Sequence, residues 1–338
     1  MLNFTDTKLS KIIIHHIGNK NKNEGIKLSK NLLKIKDDDL LNLLKAYFTN
    51  PFKTEALYHF NLYEEAKNNV VFRLASEVFD NNELLFDNSV KLAHYLHENS
   101  EYPKINAGEF YVVYFKDCVI DDELTDAIGL FKSENKDTYL KVFQNNNTFD
   151  IAVDEGINIH KLDKGCIIFN TEKENGYLVS MVDNLNKNSD LQPWKDDFFH
   201  TQSLLNVCKG FCDEMLSDDK EVSKQNQFNI KDRSMKYFVE HDNFNQKEFE
   251  TEVMQEPEII EAFQHYKQQY INKENSNEVD DFGISDSAVK SAKKYFKSIL
   301  KLDKNFHVYV HGNADMLEKG FDEKKKMNFY RLFFNEEI

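Results

Sequence analysis

The sequence predicts an α+β fold: an antiparallel β-meander with helices in the N-terminal half, and a mostly helical C-terminal half ending in a β-hairpin. Three observations carry this reading. Between residues 108 and 183, short apolar or alternating runs follow one another with only turn-rich segments between them, which leaves no room for helical crossovers. Stretches of helical period precede that section and dominate beyond Lys195. At about one domain per 150 residues, the 338 residues make two domains, and 41% hydrophobic content supplies a core for each. The boundary is placed between an α+β domain over 1–190 and a mainly helical domain with a terminal hairpin over 191–338.

The elements follow in chain order. SKIIIHHI (10–17) is a β-branched run ended by Gly18-Asn19, and a second short strand is expected near 25–30. A helix over 38–49 has Asp37 or Asp38 as its cap, leucines at 40, 41, 43 and 44, and Asn50-Pro51 as its end. Residues 68–99 read as two helices broken around Asp80-Asn81-Asn82. FYVVYF (110–115), TDAIGLF (125–131), TYLKVF (138–143), FDIAV (149–153), CIIF (166–169) and YLVSMV (177–182) are the strands of the meander. Helices are expected at about 196–216, 229–240, 245–254, 257–273 and 285–302. FHVYVHG and NFYRLFF, joined by a lysine-rich loop, read as the terminal hairpin.

Composition narrows the function. No apolar run approaches the ~18 residues of a membrane helix, and MLNFTDTKLSK has an early acid and no apolar stretch of a secretory signal. A soluble, cytoplasmic protein is expected. The formal charge is −15, yet both ends are basic. Lysines 8, 11, 20, 22, 27, 30, 34 and 36 face only Asp6 and Glu24 in the first 36 residues, and residues 285–338 hold eleven bases against eight acids. Beyond a Debye length of ~8 Å, the acidic middle is largely screened from either end. Only Arg73, Arg233 and Arg331 are arginines, which argues against sequence-specific reading of guanine edges.

The sharpest local feature is the helix expected over 285–302. Val289, Ala292, Tyr295, Phe296, Ile299 and Leu300 fall in one arc, and Lys290, Lys293, Lys294, Lys297 and Lys301 in the other, with no acid between them. Like charges at i,i+4 subtract stability, so an anion on this face would relieve them. The plainer reading is a solvated surface. His307 and His311 share a strand face but lie ~13 Å apart at ~3.3 Å per residue, too far to chelate one ion. His15-His16 point to opposite faces, and His94 with His97 lacks a third ligand by spacing. Cys208 and Cys212 lie one helical turn apart and read as buried free thiols, like Cys118 and Cys166. No metal site or cofactor is expected. GxGxxG, GxxxxGK[ST], GxSxG and HExxH are all missing, and acidic pairs such as Asp121-Asp122, Asp196-Asp197 and Asp280-Asp281 are too abundant to mark a site.

Several segments carry a family likeness. They are KIIIHHIGNK (11–20), LLNLLKAYFTNPF (40–52), the section GEFYVVYFKDCVIDDELTDAIGLFKSENKDTYLKV (108–142), LDKGCIIFN (162–170) and LKLDKNFHVYVHGN with its hairpin. Together they resemble the bacterial nucleoid-associated protein family of the NdpA kind, over nearly the whole chain. The resemblance implies a nucleoid-located protein that binds DNA and possibly RNA, and it brings no catalytic residues, so no enzyme is expected. The contacts expected are Lys290, Lys293, Lys294, Lys297 and Lys301, with Lys324, Lys325 and Lys326 in the hairpin loop and Lys11, Lys20, Lys22 and Lys27 near the start. The alternative is an adaptor brought to the nucleoid by a protein partner such as a topoisomerase, and a metal-dependent nuclease is a distant third.

Overall fold

A computed structural model describes residues 2–52, 56–61, 69–182, 191–215, 224–274, 281–296, 298–302, 306–310 and 316–336. The chain divides into two compact units, Met1–Trp194 and Lys195–Ile338. In chain order the first contains β1 (Lys8–Ile17), β2 (Ile26–Lys27), α1 (Asp38–Thr49), β3 (Leu57–Phe60), α2 (Val70–Asp80), α3 (Leu85–Glu98), β4 (Gly108–Ile120), β5 (Glu123–Ser133), β6 (Asp137–Asn145), β7 (Thr148–Gly156), β8 (Lys164–Phe169), β9 (Leu178–Val182) and β10 (Leu191–Pro193). Eight of these strands form one sheet in the order β10-β3-β9-β8-β5-β4-β1-β2, every neighbouring pair antiparallel. The fold class is α+β.

Both faces of this sheet are buried, which explains the nearly continuous apolar runs. On β4, Tyr111, Val113 and Phe115 project to one face and Phe110, Val112 and Tyr114 to the other. α1 covers the first face with Tyr47 and Phe48, and Phe52 follows it into the same core. Asp37 caps α1, its carboxylate accepting from the amides of Asp39 and Leu40 at 2.9 and 3.2 Å. α2 and α3 cover the second face with Leu74, Ala75, Val78, Leu85, Leu92 and Ala93.

The expected meander is interrupted. β5 pairs with β8, and β6 and β7 leave the sheet to pair only with each other as a two-stranded ribbon. The runs at 138–143 and 149–153 alternate as any strands do, so the period alone does not show which sheet they join. β3 was not anticipated, because four residues, LYHF, are too few to show a period.

His15 shows how the sheet accommodates a polar side chain. It is 1% exposed; Nδ1 accepts from the Ser29 amide at 3.2 Å, and Nε2 lies 3.0 Å from the Ser89 hydroxyl. Burial, with His94 nearby, pushes its pKa below the usual histidine value. The unfolded chain therefore takes up this proton first, so His15 supports the fold above about pH 6.5 and withdraws that support as pH falls through the lowered value. Melting temperature followed through that window is expected to fall more steeply for the wild type than for His15→Gln; parallel curves would contradict it.

The second unit holds α4 (Asp197–Gly210), α5 (Lys224–Glu240), β11 (Asn243–Asn245), α6 (Gln246–Phe249), α7 (Pro257–Glu274), β12 (Asp281–Gly283), α8 (Asp286–Ala292), β13 (Ser298–Leu302), β14 (Phe306–Val310), β15 (Leu317–Asp322) and β16 (Met327–Leu332). Its core gathers Leu205, Phe211, Phe238, Phe244, Phe249 and Phe263. Cys208 and Cys212 are free thiols inside it, and burial raises that of Cys212 to about 12, which keeps it unreactive. Among the described residues, no helix is long and apolar enough to cross a membrane.

The terminal hairpin differs from the one expected. FHVYV pairs with Ser298–Leu302, and NFYRL pairs with Leu317–Asp322, giving two hairpins instead of one. Each strand takes the partner nearest in sequence, whose short connection has the smaller closure entropy.

Candidate nucleic-acid interface

The helix expected over 285–302 is much shorter. Ser285 caps it, accepting from the Ala288 amide, and α8 ends at Ala292. One tight 3-10 turn, Lys293–Tyr295, follows, and Ser298–Leu302 is strand β13. Two effects favour the strand. Lysines three and four apart repel along a continued helix, whereas β14 offers Ser298–Leu302 a backbone partner along its whole length.

What survives of the two-faced pattern is its first turn and a half. Ala288, Val289 and Ala292 are buried, with Val289 and Ala292 in the core of the unit, which turns Lys290, Lys293 and Lys294 outward. Tyr295, assigned to the apolar arc, is instead 58% exposed, with the Lys294 ammonium 4.7 Å from its ring centre. Lys301 falls in β13, and Lys297 lies outside the described residues.

The second basic patch is built by the β15–β16 hairpin. At its turn the Asp322 carboxylate accepts from the amides of Lys324 and Lys325 at 2.9 and 3.0 Å. Lys326 closes the turn in the left-handed region at φ 51°. This holds Lys324, Lys325 and Lys326 exposed at the tip. The flanking strands add exposed Lys319, Phe321 and Phe329, and Phe333 and Phe334 follow at 45% and 70% exposure. The Phe329 ring lies over Gly320, where a Cβ would stand 2.3 Å from it, and the Arg331 guanidinium is 5.8 Å from its centre. These aromatics were missed from sequence, although KGFDEKKKMNFYRLFF interleaves bases with phenylalanines in plain view.

Near the N-terminus the lysines are more committed. The Lys11 ammonium, largely buried, donates to the Asn82 carbonyl and side chain and pairs with Glu83 at 2.7 Å. Lys20 pairs with Glu101 at 3.1 Å, and Lys22 donates to the Ile105 carbonyl at 3.4 Å and to Asn106 at 3.2 Å. Lys27 is exposed on β2. By contrast, Lys290, Lys293, Lys294 and Lys324–Lys326 have no carboxylate partner among the described residues.

One further group could ligate a cation. The ligand atoms of His241, Glu248 and Glu252 lie within 4.8 Å of one another. His241 Nδ1 is 3.0 Å from the Tyr237 carbonyl, leaving Nε2 to face Glu248 and Glu252 at 3.9 and 3.8 Å. A protonated imidazole between two carboxylates satisfies the same geometry. Spacing did not reveal this set, because β11 intervenes between the histidine and the helical Glu248–Glu252 pair.

Fold and surface together define an α+β protein with exposed basic patches on its C-terminal unit. The family model for "Nucleoid-associated protein YejK" matches residues 13–327, and the chain belongs to that family. No curated protein matches it.

Proposed function

We propose that this protein binds nucleic acid non-specifically at the nucleoid, through phosphate contacts made by Lys290, Lys293, Lys294 and the 324–326 turn, without catalysis. Membership of a nucleoid-associated family supports the setting. The observation that carries the reading is the pair of lysine clusters left without carboxylate partners among the described residues, in a chain of net charge −15 where acids are plentiful. Lys297 and Lys301 extend the first cluster in sequence, and Lys20, Lys22 and Lys27 add a smaller set; Lys11 is held by its own fold. Lysine supplies point charge rather than the planar fork that reads bases, so all sequences should bind alike. Phe321 and Phe329 beside the turn, with Phe333 and Phe334 past the far end of the hairpin, offer rings on which unpaired bases stack, so single-stranded DNA or RNA belongs among the ligands. A cytoplasmic location goes with this role.

Fluorescence anisotropy with labelled duplex, single-stranded DNA and RNA over a range of salt tests the proposal. Affinity that falls linearly on a log–log plot is expected, since binding releases counterions. No affinity for any of the three at low salt would overturn it in favour of an adaptor held at the nucleoid by a protein such as a topoisomerase.

A further inference from the structure

The β6–β7 ribbon has one face that water should not be left to cover. Its register sets Leu140 opposite Val153, Val142 opposite Ile151 and Gln144 opposite Phe149, and paired residues of an antiparallel ribbon project to one side. Leu140, Val142, Phe149, Ile151 and Val153 thus form a continuous apolar ladder, each between 61% and 76% exposed. A lone two-stranded ribbon is marginal in water and needs a further layer against its apolar face. We infer that this face docks on the same face of a second copy of the chain, making the protein a two-fold dimer through its ribbons.

The occupant follows from charge and area. Lys141, Asp150 and Asp154 project to the opposite face, and Glu155, opposite Thr138, stands on the ladder face only at its end, so no charge falls among the five apolar residues themselves. Self-complementarity of this kind is what a two-fold interface requires, because both copies present the same patch. Nucleic acid is the wrong occupant: Asp137, Asp150, Asp154 and Glu155 against Lys141 make the ribbon acidic. At roughly 60–120 Å² per apolar side chain, five give about 300–600 Å² per copy. The two copies together give about 600–1,200 Å², a range that includes the ~1,000 Å² of a specific interface.

Sedimentation velocity of the full chain at micromolar concentration tests the inference. The wild type is expected to sediment at twice the 39.8 kDa chain mass. V142E/I151E, which sets glutamates across the ladder, should sediment as a monomer with an unchanged circular dichroism spectrum. K141E, on the other face, should remain dimeric. Should the double variant fail to fold, Ile151→Cys provides a second reading: a short bis-maleimide should join two copies through that position. A monomeric wild type, which would leave another protein or the chain's own second unit as the occupant, overturns the inference. So does a dimer that V142E/I151E, folded, does not dissociate, or an Ile151→Cys protein that does not cross-link.

Discussion

Replacing Lys290, Lys293, Lys294, Lys324, Lys325 and Lys326 with glutamine should nearly abolish the salt dependence of nucleic-acid binding. Six phosphate contacts give a log–log slope of roughly −5 at about −0.9 per phosphate, so wild-type affinity for a duplex should fall on the order of a thousandfold between about 50 and 200 mM salt. The variant should lose most of its low-salt affinity and retain only a shallow slope. The loss should be the same for every sequence, because phosphate contacts carry no base information. Folding should persist: all six side chains are exposed, while buried Ala288, Val289 and Ala292 are untouched. An unchanged slope in the folded variant would show that both clusters are only solvated surface.

The largest stability effect is expected at Phe48. Its ring is fully buried, stacked on Phe131 at 4.6 Å and set edge-on to Tyr111 at 5.3 Å, so it joins α1 to two strands of the sheet. Phe48→Ala removes the ring and leaves a hole that neighbouring aromatics cannot close, at a cost of about 3–5 kcal/mol. Leu40→Ala on the same helix, 42% exposed, should stay within about 0.5 kcal/mol. The single tryptophan, Trp194, packs against the same core, so its fluorescence in a denaturant titration reports this unit. Equal midpoints for the two variants would mean that α1 does not seal the sheet through Phe48.

The parts legible in the sequence are those whose pattern decides their neighbours. FYVVYF and TDAIGLF are apolar on both sides, so a strand buried on both faces is the natural outcome for each, and Asp37 and Asn50-Pro51 bracket α1 within a residue. Where pattern allows two partners, it misleads. KSILKL fits a helical arc and a strand equally well, and the pairing of Ile299 and Leu300 with FHVYV decides for the strand. Likewise, Leu140, Val142, Ile151 and Val153 alternate like sheet residues yet belong to a separate ribbon. In the candidate interface, Lys290, Lys293 and Lys294 were visible from the lack of acids between them, and Lys324, Lys325 and Lys326 from their run in the hairpin loop. The commitment of Lys11 to Asn82 and Glu83 was not, because that contact spans about seventy residues of chain.

The central claim is that nucleic acid lies on the lysines of the C-terminal unit, and lysine footprinting tests it most directly. The protein is acetylated free and then saturated with DNA at low salt, and each lysine is read by mass spectrometry. Protection is expected at Lys290, Lys293, Lys294, Lys324, Lys325 and Lys326. Lys8 and Lys173, paired with Asp117 at 2.7 Å and Asp80 at 2.9 Å, should react as they do in the free protein. If DNA is bound while those six lysines remain as reactive as before, the claim is wrong.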